Sequence, residues 1–570
     1  MSDPLKKMKE AMRSRNSTFK LKEINIQDTL KIIRRLKNSS ATGVDFIDTR
    51  TIKVGADIIA PALTHVINRS IISSKFPSIW KHAKVIPVLK SLGLDSLLSK
   101  SYRPVALLPI LSKVLEKVVF TQLTEYLETN NLIHPNLHGS RANHSTSTAL
   151  IQMTDRWTDM VDEGKMVGVL ICDQSAAYDL CDHFLLLEKM KLMGVEEDAR
   201  MWLSSYLSSR KQSCMVDGHL SRQLDLPPCG IPQGSIGGPL LWLCFTCDQP
   251  DVIHEHLVDG KDVRRGCGSG VDSSPGGDGD CGDLVGYVDD GLYSYAHEDP
   301  IVLSDVLNRK YVCLSEWITS NMLVINLDKT HLLVIGPKKI DAKRREVSIE
   351  AGEFKITPSV TEKMLGAQLH QSMQWNEHIR DNKSSLIKQL AVRINGLKRI
   401  SRNATFKTRL MIANGAVMSK LVYMIAVWGG AQQYLLDALQ VQQLSAARAV
   451  IGFISARWSR RQILERISWL SVRQLIVFHS VMQVHRTVVS GKPAILKESL
   501  STEFPCNTRS FSQGNIRYGV NLGKHSSGSF KQRAAKLYNE VPTEVRHGST
   551  DSVRRKLKKW VKENIPIDWR

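Results

Sequence analysis

Gly286-Tyr287-Val288-Asp289-Asp290-Gly291 sets two adjacent carboxylates between short apolar runs, and this restricts the fold of the 570-residue chain more than any other stretch. Leu284 to Val288 leads in and Leu292 to Tyr295 leads out, a spacing that predicts a β-hairpin with the pair at its tip. Adjacent aspartates at a hairpin tip repel each other, so keeping both ionised at neutral pH calls for a cation of the magnesium class. Asp-Asp also occurs in ordinary turns, where it favours tight backbone geometry. Only the rest of the chain separates the two readings.

The chain has room for two to four domains and a large core. Lysine and arginine number 77 against 56 acidic residues, a net charge of +21, well beyond the roughly 2–8 of a small soluble domain. Such an excess points to a polyanion, most often nucleic acid. Met1 to Lys22 is basic and polar, unlike a signal peptide. The longest apolar run, Leu421 to Trp428, falls far short of the roughly 20 residues that span a bilayer. The expectation is an intracellular protein, nuclear or cytoplasmic, with no membrane partner and not secreted. Ten cysteines scattered along the length suit reduced thiols. Cys244-x-x-Cys247 with Cys267 and Cys281 fits no familiar zinc-finger spacing.

In order, the basic start over 1–22 reads as disordered or as a helix lying on nucleic acid. Helical spacing follows at Ile26 to Leu36 and Ile58 to Ile72, then β-like segments at Trp80 to Val88 and Ser101 to Leu108, then an amphipathic helix from Ile110 to Tyr126. Val167 to Asp173 is a buried-type strand ending on a carboxylate, a placement shared by catalytic aspartates and by residues that cap the next turn. Gly230 to Leu240 is a Gly/Pro loop opening into an apolar helix through Cys247. Its backbone amides suit a phosphate or other anion, and a structural turn is the alternative. Gly266 to Asp283, rich in Gly, Ser and Asp, cannot bury a core and reads as a flexible surface loop. Trp375 to Ile400, Thr405 to Val427, Gln432 to Ile451 and Ile463 to Val489 each predict a helix. Arg457-Trp458-Ser459-Arg460-Arg461 suits either backbone grip with stacking or a helix cap. Ser552 to Lys562 is a basic amphipathic helix that either lies on nucleic acid or packs its Val553, Leu557, Trp560 and Val561 face inward.

Strand-ending Asp173, the Pro-Gln-Gly loop and the Tyr-Val-Asp-Asp hairpin stand in the order of a reverse transcriptase palm. Over nearly its whole length the chain resembles the polymerases of jockey-like non-LTR (LINE-type) retrotransposons. Asp173-Gln174-Ser175-Ala176-Ala177-Tyr178-Asp179 with Asp182-His183 resembles the family's first aspartate block, and Gly230-Ile231-Pro232-Gln233-Gly234-Ser235 its Pro-Gln-Gly block. Tyr102 to Leu108 with Leu115-Glu116-Lys117 resembles the fingers block. Gly139-Ser140-Arg141 with His144-Ser145-Thr146 resembles the next, although Ser140 replaces an aromatic. Asn326 to Thr330 and Lys363 to Gly366 resemble two late palm blocks.

The resemblance implies an α+β right-hand polymerase. Its parts are a basic tail over 1–22, fingers and N-terminal helices over 23–165, and a palm with an antiparallel sheet over 166–370 that includes the loop 266–283. A helical thumb and connection over 371–490 and a basic C-terminal region over 491–570 follow. It implies an RNA-directed DNA polymerase that extends a DNA 3′-hydroxyl on an RNA template, taking dNTPs and a DNA primer or target. Two Mg2+ ions, with Mn2+ able to substitute, would be held by Asp173, Asp289 and Asp290 and would stabilise the attacking and leaving oxygens. Arg103 and Lys113 would bind triphosphate, Lys113 reading equally as a solvated helix residue. Tyr178 would gate the sugar against a 2′-hydroxyl, or pack in the core. Gln233, between Pro232 and Gly234, would touch the nucleotide or template pair. Lys329 would protonate pyrophosphate, or lie on the surface. Between Tyr287 and the first aspartate the family usually carries Ala or Met, and Val288 is expected to preserve the hairpin. Complete elements carry an upstream endonuclease. Here the fingers begin almost at Met1, which reads as a truncated copy, a partial gene model or a polymerase retained for host use. The rival readings are a catalytically inactive nucleic-acid-binding relic and a telomerase-like host enzyme. Template, target site and oligomeric state are not indicated.

Overall fold

The computed structural model describes residues 3–12, 17–39, 41–91, 93–251, 283–401, 403–452, 458–500, 514–518, 523 and 525–567. Helices and sheets are mixed along the chain, an α+β architecture. The strands relevant to the site are β1 (His82–Leu89), β2 (Tyr102–Leu107), β3 (Met166–Ser175), β4 (Lys211–Val216), β5 (His219–Leu220), β6 (Leu224–Asp225), β7 (Asp283–Tyr287), β8 (Asp290–His297), β9 (Val324–Ile325) and β10 (His331–Ile335). Two compact units interleave along the sequence. The first comprises Met1–Ser140, Cys172–Gly266 and Lys310–Asp328; the second comprises Arg141–Ile171, Cys267–Arg309 and Lys329–Arg570.

In the first unit a sheet runs β2-β1-β4-β5, with β6 also on β4. β1 and β2 pair antiparallel, placing Val88 opposite Arg103 and Val85 opposite Ala106. The helix Ile110–Thr129 buries Val114, Leu115, Val118, Phe120 and Leu123. Phe120 and Phe76 pack edge-on against Trp202 and Tyr206, an arrangement that aromatic quadrupoles favour. The described part of the basic start is anchored: Met8, on the helix Lys6–Met12, is buried, buried Phe19 bridges to Val195, and the Lys22 backbone bonds the Gln122 side chain.

In the second unit β10, β3, β8 and β7 are successive strands, with Pro358–Ser359 flanking β10. Leu333 lies opposite Val169 and Ile335 opposite Val167. The core continues from these strands into the helices Leu386–Ser401, Gln433–Ile451, Val472–Ser490 and Thr550–Asn564. An acidic row on the helix Thr146–Asp162 captures the start of the helix Phe530–Glu540. Asp155 accepts from the Phe530 and Lys531 amides at 2.6 and 2.8 Å, and Asp162 accepts from the His525 and Ser526 amides at 3.0 and 2.6 Å. Asp159 accepts from Ser526 Oγ and pairs with Lys531. These carboxylates satisfy amides that a helix start leaves without an intrahelical partner. Burial nevertheless pushes the Asp155 carboxyl up to about 6.

Three expected helices are broken. Trp375 to Ile400 divides into a π-helical turn at Glu377–Asp381 and the helix Leu386–Ser401. Thr405 to Val427 divides into Phe406–Ile412, a π-helical turn at Ala413–Met418, Ser419–Leu421 and Ile425–Trp428, with Met424 left-handed at φ +56°. Ile463 to Val489 divides into the helices Arg460–Arg466 and Val472–Ser490, with Ser468 at φ +57°. Ser459 forms a capping box with Gln462, so the described part of the Arg457–Arg461 cluster caps a helix. In Thr550–Asn564, Val553, Leu557 and Val561 are buried while Arg554, Arg555, Lys556, Lys558, Lys559 and Lys562 are exposed. The loop 266–283 lies outside the described residues except for Asp283, as do Cys267 and Cys281. Cys244 and Cys247 are buried thiols, and burial pushes that of Cys244 up to about 12. No described helix is long and apolar enough to cross a membrane.

Candidate active site

The β7–β8 hairpin belongs to the second unit. Its register pairs Tyr287 with Asp290 and Gly286 with Gly291, so the two-residue turn is Val288-Asp289 and Asp290 opens the outgoing strand. The expected hairpin is present, with its tip one residue earlier than the Asp-Asp pair. Val288 sits at φ +63° and Asp289 does not share the positive φ, the pattern of a type II′ turn, which prefers glycine at its first central position. A β-branched side chain there is strained by about 1–3 kcal/mol. Val288 thus preserves the hairpin at a conformational cost that substitution by Ala or Met would not remove. Val288→Gly is expected to gain about 1 kcal/mol in urea unfolding, the relief of strain exceeding glycine's added chain entropy. A loss of similar size would mean that Val288's packing outweighs its strain. Asp289, Asp290 and Tyr287 are half-buried. Burial raises the Tyr287 phenol, and Tyr423 adds to the shift. Lys329 is exposed, at the end of the 3-10 turn Leu327–Lys329 ahead of β10.

The first unit holds the other candidates. Asp173, near the end of β3, accepts the Asn326 amide on its carbonyl at 3.0 Å, and Asn326 Nδ2 donates to its carboxylate at 3.3 Å. Asn326, in the first late block, therefore orients the strand-ending aspartate. Beyond the left-handed turn at Ala176, the Tyr178 ring stacks on Trp242 at 5.6 Å.

The loop Gly230–Gly237 is bonded on both sides. On one, the Ile231 amide donates to the Tyr178 carbonyl at 2.7 Å, the Gly230 amide to the Cys181 carbonyl at 2.8 Å, and His183 Nε2 to the Gly230 carbonyl at 2.7 Å. Gln233 Nε2 donates to Asp179 Oδ1 at 3.2 Å, and burial raises the Asp179 carboxyl against that bond. On the other, the Ala106 amide of β2 donates to the Gln233 carbonyl at 2.8 Å. Gly234, at φ +116°, lies so close to β2 that a Cβ would stand 2.5 Å from the Ala106 carbonyl oxygen. Pro232 is half-buried at the turn. Arg103 is exposed on β2, three residues before Ala106, and Lys113 is half-buried in the first turn of Ile110–Thr129.

The structure thus gathers Tyr178 and Gln233 into one hydrogen-bonded assembly and ties it to the strand bearing Arg103. The amides at the helix start are not free for a ligand anion. Ile236 donates to Glu116 Oε2 at 2.7 Å and Gly238 to Ser235 Oγ at 2.9 Å, which corrects the anion-cradle expectation for them. Asn326, Asp179, His183 and Glu116 all stood inside blocks read from the sequence without a role. Trp242 carried no signal beyond the apolar pattern. Among the described residues, no group of three or more His, Cys, Asp or Glu side chains is arranged to hold a metal ion.

Residues 90–396 match the family model described as reverse transcriptase (RNA-dependent DNA polymerase). The chain is 24% identical over 439 residues to the RNA-directed DNA polymerase from mobile element jockey of Drosophila funebris, covering 77% of this chain and 44% of that protein. It is 23% identical to the probable RNA-directed DNA polymerase from transposon BS of Drosophila melanogaster, covering 75% of this chain and 45% of that protein. The probable RNA-directed DNA polymerase from transposon X-element of the same fly is 24% identical, over 75% of this chain and 44% of that protein. The chain spans less than half the length of these curated relatives.

Proposed function

Because the chain belongs to the reverse transcriptase (RNA-dependent DNA polymerase) family, we propose that it extends a DNA 3′-hydroxyl on an RNA template, as the polymerase of a jockey-like non-LTR retrotransposon. The observation that carries this is the family match over 90–396, a range that includes Asp173, Asp289 and Asp290. Reverse transcriptase domains generally use divalent ions. Asp173, Asp289 and Asp290 would hold two Mg2+ ions, or Mn2+ in their place, because carboxylate oxygens are the hard donors such ions take. When bound, the pair would stabilise the attacking and leaving oxygens of an in-line displacement at the α-phosphate.

The chain's own residues do the rest. Arg103 would grip triphosphate oxygens bidentately and Lys113 would add a point charge. Tyr178, its ring fixed by Trp242, would pack under the incoming sugar and exclude a 2′-hydroxyl. Gln233 would face the nascent pair, and Lys329 would donate a proton to departing pyrophosphate. Fingers over 23–165, palm over 166–370 and thumb over 371–490 remain the proposed division of labour, with the exposed cations of Thr550–Asn564 on nucleic acid. An intracellular site of action, nuclear or cytoplasmic, goes with these substrates.

Primer extension on poly(rA)/oligo(dT) with dTTP and Mg2+ tests the reading. Extension that chelation abolishes is expected. A folded chain that binds RNA yet extends nothing would leave a nucleic-acid-binding relic in place of the enzyme.

A further inference from the structure

Glu116 is a fully buried carboxylate to which none of the steps above assigns work. It sits on Ile110–Thr129, three residues after Lys113, and its side chain is completely committed. Oε1 accepts from Ser112 Oγ at 2.9 Å and Oε2 accepts from the Ile236 amide at 2.7 Å, with the Gly237 amide also bonded to the carboxylate. Burial pushes its carboxyl up, while these donors and the nearby buried Arg210 favour the ion. Ile236 and Gly237 immediately precede the apolar helix Gly238–Phe245, so the carboxylate occupies the anion position that a helix start offers. One turn further along the Glu116 helix, Phe120 closes on the same spot, where a Cβ on Gly237 would stand 2.1 Å from its ring. At its other end the loop is held by Tyr178 and Cys181 through Ile231 and Gly230. Gln233 lies between the two anchors, and the height at which it is presented depends on both.

We propose that Glu116 is a positioning residue for nucleotide selection: its carboxylate pins the helix-side end of the Pro-Gln-Gly loop, so that the helix bearing Lys113 also sets the placement of Gln233. This rests on the polymerase reading for its kinetic consequence but not for its structural one. Leucine at position 116 keeps the volume and removes the acceptor, freeing the Ile236 end of the loop. Glutamine keeps one acceptor oxygen on the same arm. Aspartate keeps the charge and shortens the arm by one methylene.

The test compares Glu116→Leu, Glu116→Gln and Glu116→Asp with the parent chain in two measurements. In hydrogen exchange of the 230–241 segment, Leu and Asp are expected to speed exchange about tenfold or more while Gln stays near the parent. In primer extension, Leu and Asp are expected to raise the dTTP KM about tenfold, with kcat and primer–template affinity changed less than about threefold, and Gln is expected to restore most of the KM. Should the Leu chain fail to fold, the Asp and Gln chains give the same contrast. Unchanged exchange in a folded Leu or Asp chain would overturn the proposal. So would a fall in kcat or melting temperature with KM unmoved, which is the mark of a merely structural group. A parent chain that extends nothing refutes the polymerase reading, and the exchange contrast still decides whether Glu116 pins the loop.

Discussion

Replacing Asp289 and Asp290 together with alanine is expected to reduce primer extension by about 10^3-fold or more, since charge stabilisation of a transferring phosphoryl group is worth several kcal/mol. The same double variant should keep its fold. The hairpin is held by backbone pairing from Asp283–Ser294 to Tyr287–Asp290, not by the two carboxylates, and their removal relieves a like-charge repulsion. Circular dichroism melting within a few degrees of the parent, with RNA binding retained, would separate chemistry from folding. More than about a tenth of the parent activity would show that the proposed ligand set is wrong even where the family reading stands. Asp173→Asn is expected to fall nearly as far. There the Asn326 side-chain amide, which donates to the aspartate at 3.3 Å, would meet an amide in place of a carboxylate.

Lys189→Met is expected to be the most destabilising single substitution in the first unit, by about 3–5 kcal/mol, the cost of leaving a buried carboxylate without its cation. Lys189 is fully buried; it donates to the Phe245 carbonyl at 2.7 Å and to Asp248 Oδ1 at 2.8 Å, with its ammonium over the rings of Phe245 and Trp317 at 4.9 and 5.1 Å. Asp248 is 3% exposed, and Lys189 is the cation it pairs with. For a unit of this size the loss corresponds to a melting temperature lower by roughly 10 °C. Lys189→Met with Asp248→Leu should recover a large part of it, because an apolar pair of similar volume removes both desolvated charges. The fluorescence-monitored melts of the two singles and the double form a cycle. A single-variant loss below about 1 kcal/mol would mean that the pair contributes nothing net. The helix Gly238–Phe245 continues from the Pro-Gln-Gly loop, so nucleotide handling should weaken along with stability in the single variants.

The parts of this fold that announced themselves in sequence are those whose cause is local. The 3.6-residue apolar spacing of Ile110–Thr129, the apolar run into Asp173 and the two flanks of Tyr287–Asp290 each state their own secondary structure. Met424 and Ser468 break helices in left-handed conformations without being glycine, so no punctuating residue marks them. Val288 reads from the sequence as the end of the lead-in strand; its place in the turn and its positive φ, which runs against what a β-branched side chain prefers, follow from the register of the strands around it. Glu116 shows the general difficulty. Its partner amide lies 120 residues away, and nothing in Leu115-Glu116-Lys117 distinguishes a buried anchor from a solvated face.

The acidic row on Thr146–Asp162 and the core it belongs to have a biosynthetic consequence. Ala149, Leu150 and Trp157 share their core with Leu475, Val553 and Val561, and Asp155 waits for the amides of Phe530 and Lys531. A ribosome adding about 5–20 residues per second needs on the order of tens of seconds between the two ends of that contact. The strands β7, β8 and β10 cover part of this core early, but throughout that interval the side of the early helix that meets Phe530–Glu540 lacks its native cover. The nascent chain is then most exposed to misassociation and most dependent on chaperones, and it completes this core only when the last helices leave the exit tunnel.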